Sequence, residues 1–269
     1  MTVDFHTHVF PDKIAASTVA ALERRGGTPS HSDGTVDGLL RSLCEAEVSV
    51  AVNLPVLTKS TQFDSILAFA KSINEREYGA ERIISFAGIH PDDENIEEHL
   101  NAVSEAGIPG IKIHPDYQGT FFDDERYVRI ISKAKKLGLI VVTHSGFDIG
   151  FKGEEIRCTP TRVLRLLDKV GGYGRLVLAH LGGGEFTREV IDLLCGEDVY
   201  FDTAYNLSLV DPVLVSELIA KHGADRILFA TDSPWQNIKR ELCVLDALGL
   251  SSRERQLILS ENAKSLLRI

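Results

Sequence analysis

Six histidines, one lysine and two aspartates fall at one kind of place in this chain, the C-terminal end of a short apolar run. They are His6 and His8, His90, Lys112 and His114, His144, His180, Asp202 and Asp232. The first run carries Asp4-Phe5-His6-Thr7-His8. On a regular strand successive side chains alternate, so Asp4, His6 and His8 are expected on one face. Two neutral imidazoles at that spacing can reach one divalent ion. A lone His-x-His pair is weak evidence, because a single histidine is more often a core residue that has found its hydrogen bonds. Its weight comes from the further ligand types that close the later runs.

His6, His8, His144 and Asp232 make the expected first metal site, three or four N/O donors with room for water, as a catalytic rather than a closed structural site requires. His180 is the next candidate, as a ligand to a second metal or as an acid/base beside the first. Lys112 has two readings: a cation that holds an anionic substrate, or a lysine carboxylated on Nζ that bridges two metals. A bound ion lowers the pKa of its water towards about 7. Asp232 would then take and return the proton, while His180 and the ion polarise a carbonyl oxygen. Asp232 also has a plain structural alternative as a helix N-cap.

The elements that must position these residues alternate. Strands are expected to end near 8, 53, 90, 114, 144, 180, 203 and 232, and each interval holds a helix and two short loops. Helices are predicted over residues 11–25, 36–46, 61–78, 95–106, 125–137, 160–170, 186–195, 212–222, 236–248 and 252–268, with glycines such as Gly107 and Gly138 as stops. Strands that read as continuous apolar runs are covered on both faces. Eight strands alternating with helices predict a (β/α)₈ TIM barrel, read as a single domain over 1–269. A doubly wound sheet is disfavoured because no GxGxxG follows the first strand.

Composition bounds the rest. Of 269 residues, 43% are hydrophobic and 25% charged, as in ordinary globular chains. No apolar run approaches a membrane span, and the first residues lack a signal-peptide pattern, so a cytoplasmic protein with no membrane partner is expected. A formal charge of −10 argues against nucleic acid. Cys44, Cys158, Cys195 and Cys243 are scattered, with no thiolate site or disulfide framework; three are expected in the core and one in a loop.

Six motifs together resemble the amidohydrolase superfamily, specifically its amidohydrolase-related (amidohydrolase 2) branch. They are the Asp-x-His-x-His run, Gly110-Ile-Lys-Ile-His-Pro115, Thr143-His-Ser-Gly146, Leu178-Ala-His-Leu-Gly-Gly183, Tyr200-Phe-Asp-Thr203 and Leu228-Phe-Ala-Thr-Asp-Ser-Pro-Trp235. They fall in order over essentially the whole chain. The resemblance implies a distorted barrel with metal ligands at His6, His8, His144 and Asp232 and His180 as ligand or catalytic group. It implies zinc first, with manganese, iron, cobalt and nickel open, and no organic cofactor. Dimers are common in that family, so a homodimer is the assembly the resemblance suggests.

Lys112-Ile-His-Pro looks more like hydrolases with a carboxylated fourth-strand lysine than like the decarboxylases of the family. The first functional expectation is therefore metal-dependent hydrolysis of an amide, ester or lactone in a small, anionic organic substrate. The alternative is a metal-dependent non-oxidative decarboxylase, and the third reading a catalytically silent binding barrel. His114, Lys152, Arg157, Tyr117 and Trp235 are the expected substrate contacts. The loop over residues 145–159, with Phe147 and Phe151, is expected to rim the pocket.

Overall fold

The computed structural model describes residues 1–269. Its strands are β1 (Val3–Thr7), β2 (Val50–Asn53), β3 (Arg82–Ser85), β4 (Ala87–Gly88), β5 (Gly110–Ile113), β6 (Ile140–Thr143), β7 (Leu176–Leu178), β8 (Tyr200–Asp202) and β9 (Ile227–Leu228). β3 and β4 are two parts of one crossing, interrupted at Phe86, whose N–H is bound by the carbonyl of Asn53. Every ladder is parallel, in the order β1-β2-β3 and β4 to β9. The segment after β9 returns to β1. Phe5 N donates to Phe229 O (2.9 Å) and Asp232 N to His6 O (2.8 Å), and Thr7 bridges Ser233 in parallel. The architecture is the expected (β/α)₈ barrel.

The helices are α1 (Asp12–Gly26), α2 (Val36–Ala46), α3 (Phe63–Asn74), α4 (Ile96–Glu105), α5 (Glu125–Leu137), α6 (Pro160–Val170), α7 (Thr187–Leu193), α8 (Pro212–His222), α9 (Ile238–Ala247), α10 (Ser252–Gln256) and α11 (Asn262–Leu267). Their ends follow local chemistry. Thr35 caps α2, Thr159 caps α6 ahead of Pro160, and Asp211 caps α8 ahead of Pro212. Gly138 and Gly171 end α5 and α6 in the left-handed conformation that glycine adopts without strain. No helix is long and apolar enough to cross a membrane.

Two apolar layers follow from strand alternation. Ile111, Ile113, Val141, Leu176 and Leu178 pack outwards with Ile130, Val163, Leu166 and Val190 of the helices. Ile140, Val142, Val177 and Leu228 form a separate inner cluster with Val3, Phe5, Val50, Val52 and Phe86. Lys112 lies between two outward isoleucines, so alternation turns it to the barrel interior, where it is only 1% exposed.

Three expectations are corrected. First, β1 is not regular. One extra residue between Asp4 and Thr7 resets its register against β2. Asp4 therefore leaves the histidine face and accepts hydrogen bonds from Thr231 and from His6 N. Second, only Cys158 is buried, whereas Cys44 on α2 and Cys243 on α9 sit on exposed helix faces. Third, the expected strand over residues 226–232 keeps its ladder only at Ile227–Leu228, because Phe229 N turns to Ile258 O and Asp232 takes φ +65°. The same Ile258 lies in a π-helical turn, Leu257–Glu261, that interrupts the predicted helix over 252–268.

Candidate active site

Five groups gather at the C-terminal mouth of the barrel. His6 Nε2 lies 3.2 Å from His8 Nε2 and 3.4 Å from Asp232 Oδ1. His8 Nε2 is 3.0 Å from the same oxygen. His180 Nε2 is 2.9 Å from His144 Nδ1, and the His6 and His180 rings are 5.4 Å apart. Donors bound tetrahedrally at roughly 2.1 Å lie about 3.4 Å from one another, which is the spacing of the first three.

Hydrogen-bond partners fix which ring nitrogens carry lone pairs. A carboxylate only accepts, so His6 Nδ1 donates to Asp202 Oδ2 (2.8 Å) and leaves Nε2 unprotonated. A carbonyl only accepts, so His180 Nδ1 donates to Ala204 O (3.0 Å) and its Nε2 is likewise unprotonated. Asp202 Oδ1 takes His180 N (2.9 Å), so one carboxylate orients both histidines. Burial lowers His6 and His144 well below the usual histidine range and His180 to about 4, with Lys112 and the neighbouring histidines contributing. At neutral pH these rings are uncharged, as ligands must be.

The residues fit a divalent ion, and an orphaned pair of atoms tests the fit. His144 Nε2 and Asp116 Oδ2 are buried without hydrogen-bond partners and lie 3.8 Å apart. When Nδ1 gives its lone pair to an ion, Nε2 carries the hydrogen and faces that carboxylate oxygen. This is the carboxylate–histidine arrangement that orients metal ligands. His180 and Asp232 both stand at positive φ, +61° and +65°, outside the ordinary range for residues with a Cβ. Such backbone persists where the surroundings over-determine it. Asp232 is not a helix cap; Asn237 caps α9.

A second cluster lies beside the first. His114 Nε2 is 3.3 Å from Asp148 Oδ2, and the His114 and His144 rings stack at 4.1 Å. Its geometry differs in kind. His114 Nδ1 receives the backbone N–H of Tyr117 (3.4 Å), so Nε2 bears the hydrogen and donates. Lys112 Nζ lies against the first cluster, 3.2 Å from His6 Nε2. Burial pushes its ammonium down and the Asp202 carboxyl up.

Of the expected substrate contacts, His114 and Tyr117 meet edge-to-face at the mouth. Arg157 is held by Asp116 (3.5 Å) and Glu154 (3.3 Å) rather than left free for a ligand. Lys152 is exposed on the rim loop and not drawn into the cluster. Trp235, partly buried, follows Asp232 and donates its N–H to that residue's carbonyl (2.9 Å). A surface groove of about 450 Å³ lined by Glu154, Glu155, Arg162, Arg165 and Phe186 shares no residue with the cluster. Asp116 and Asp148 were not anticipated, because both come from loops, where no periodicity marks an inward side chain. The echo of Ile89-His-Pro-Asp92 in Ile113-His-Pro-Asp116 is the one sequence signal that touches Asp116.

A parallel barrel with histidines and an aspartate converging at its C-terminal mouth defines the class of metal-dependent barrel enzymes. The chain belongs to the amidohydrolase family: the family model Amidohydro_2, described as Amidohydrolase, matches residues 3–269. No curated protein matches it. Solved structures share the fold at low identity. A 2,6-dihydroxybenzoate decarboxylase complexed with 2,6-dihydroxybenzoate is 18% identical over 100% of this chain and 99% of its own, with a TM-score of 0.72. A dihydroxybenzoic acid decarboxylase from Polaromonas sp. JS666, with bound manganese and the inhibitor 2-nitroresorcinol, is 17% identical over 99% and 96%, with a TM-score of 0.73. A putative 2-pyrone-4,6-dicarboxylic acid hydrolase from Pseudomonas putida is 17% identical over 99% and 97%, with a TM-score of 0.67.

Proposed function

We propose that this protein is a metal-dependent carboxy-lyase that removes carbon dioxide from a small unsaturated or aromatic carboxylate. The observation that carries the reading is the pairing of two unlike clusters. One holds the lone pairs of His6 and His180 with His8, His144 and Asp232 gathered around them. The other presents an N–H donor, His114 Nε2, suited to a carboxylate, and the Lys112 ammonium stands against the first set. Decarboxylases among the solved structures of this fold support lysis over the hydrolysis that the sequence favoured first. A divalent ion held by the first set supplies a Lewis-acid charge next to the substrate's oxygens.

The chain's own residues do the rest. Lys112 and His114 hold the carboxylate and fix the plane of the molecule. The departing carbon dioxide leaves its bonding electrons on carbon, which takes up one proton. Asp232 is placed to carry that proton. Asp202 keeps His6 in the required tautomer, and the Ala204 carbonyl does the same for His180. Lys112 is assigned as a cation, not a carbamate, because the second cluster presents a hydrogen where a second metal would need a lone pair.

Hydrolysis is the second reading, favoured by the buried fourth-strand Lys112 and by the pyrone hydrolase among the same structures. The test is incubation of manganese- and zinc-loaded protein with carboxyl-labelled 2,6-dihydroxybenzoate, a panel of hydroxylated aromatic acids and 2-pyrone-4,6-dicarboxylate. Labelled carbon dioxide with the decarboxylated ring is the expected outcome. Ring opening or deacylation without carbon dioxide would replace lysis by hydrolysis.

A further inference from the structure

The rim loop does more than border the pocket. Its turn Ile149–Phe151 is docked on the end of α1. The Arg25 guanidinium lies 4.0 Å over the Phe151 ring and 5.0 Å over the Tyr117 ring, and Arg25 Nε donates to Gly150 O (2.8 Å). Phe151 meets Tyr117 edge-to-face at 4.9 Å, and Tyr117 meets His114 the same way at 4.7 Å. At Gly26 a Cβ would come within 3.2 Å of Ile149, so the two segments are close. The strap so formed delivers Asp148 inwards. Its Oδ1 caps the turn by accepting Gly150 N (2.6 Å), and its Oδ2 is left to take the His114 Nε2 hydrogen.

The cluster of His114, His144 and Asp148 has the composition of a metal site, and all its donor atoms lie within 4.8 Å. Two features set it apart from a metal site. His114 Nδ1 is already an acceptor, so Nε2 is an N–H. The His114 and His144 rings are stacked within 9° of parallel, so their lone pairs do not converge on one point. Burial raises the Asp148 carboxyl, but the hydrogen bonds it accepts from His114 and Gly150 outweigh it and hold it below the usual range. It is a carboxylate on a carboxylate-binding donor.

We propose that Asp148 is an internal occupant of the pocket's carboxylate subsite: its Oδ2 sits where an anionic substrate's carboxylate binds, and that substrate must displace it from His114. Asp148 then selects for substrates whose carboxylate outcompetes a tethered one, and it disfavours neutral analogues that cannot. This rests on the anionic-substrate part of the reading above, not on the bond that is broken.

The test is calorimetric binding of benzoate and of neutral benzamide to manganese-loaded wild type, Asp148→Asn and Asp148→Ala. Hydrogen exchange at residues 148–151 is followed in parallel. Benzoate is expected to bind about tenfold more tightly to Asp148→Ala, with Asp148→Asn in between and benzamide unchanged. In wild type, benzoate should raise exchange at 148–151; in Asp148→Ala those amides should already be fast and indifferent to it. Equal or weaker benzoate binding by Asp148→Ala, or no binding at millimolar concentration, would overturn the proposal. So would benzoate slowing exchange in wild type. Neither readout needs turnover: displacement without carbon dioxide from any acid removes the lyase reading alone, and carbon dioxide with unchanged affinities removes this inference alone.

Discussion

At the scale of the residue, the chemistry of the site turns on where hydrogens sit. His6 and His180 donate from Nδ1 to acceptors and so offer lone pairs at Nε2, while His114 accepts at Nδ1 and so offers a hydrogen. Asp202 enforces the His6 arrangement and Ala204 O that of His180. Asp202→Asn removes the fixed acceptor and lets His6 take the wrong tautomer, so metal affinity should fall about 10–100-fold with the fold intact. Competition with a chromogenic chelator reads this directly, and unchanged affinity would show that Asp202 does not orient the ligands. The histidines and Asp232 were legible in the sequence because each closes an apolar run, and a barrel keeps its chemistry at those ends. Asp4 was misplaced because a single inserted residue in β1 has no sequence signature of its own. The partner atoms Asp116 and Asp148 were not legible, since a loop aspartate reads the same whether it faces solvent or a histidine.

At the scale of the element, helices with a strong stop or start came out of the sequence with their bounds intact. α2, α5, α6 and α8 are bracketed by Thr35, Gly138, Thr159-Pro160 with Gly171, and Asp211-Pro212. The periodicity over residues 252–268 does not mark the π-helical break at Leu257–Glu261, because that break is tertiary in origin. Ile258 O accepts Phe229 N, and Asn262 Nδ2 donates to Ala224 O and Ile227 O, drawing the helix onto β9. The strap over the mouth is likewise a tertiary feature. An exposed cation–π contact contributes about 0.5–1 kcal/mol. Arg25→Ala, which also loses the bond to Gly150, should therefore speed tryptic cleavage after Lys152 at least two- to fivefold while leaving global melting nearly unchanged. Unchanged cleavage would mean that α1 does not hold the strap.

At the scale of the whole molecule, the barrel is closed by backbone bonds between β1 and the segment after β9, so the first and last motifs of the sequence meet at one site. A different buried acid tests the packing outside that site. Glu241 on α9 is fully buried and neither carboxyl oxygen has a hydrogen-bond partner. Burial raises its pKa, with Ser208 and Arg240 opposing. A raised folded-state pKa means that its stabilising contribution is complete below the unfolded value and is lost as pH rises through the folded one. Glu241→Gln should therefore melt like wild type under acid conditions and higher than wild type at pH 8. The gain is about 1–3 kcal/mol, or about 2–4 °C per kcal/mol. An equal or lower melting temperature at pH 8 would show that the carboxylate is compensated.

The proposed chemistry rests on one metal held by His6, His8 and Asp232, with the facing pair His144 and His180 beside it and Lys112 an uncarboxylated cation. Elemental analysis of metal per chain, in wild type and Lys112→Ala purified without chelator, tests it most directly. Close to one equivalent is expected in both proteins. Two equivalents in wild type falling in Lys112→Ala, or no metal in either after incubation with zinc or manganese, would contradict it.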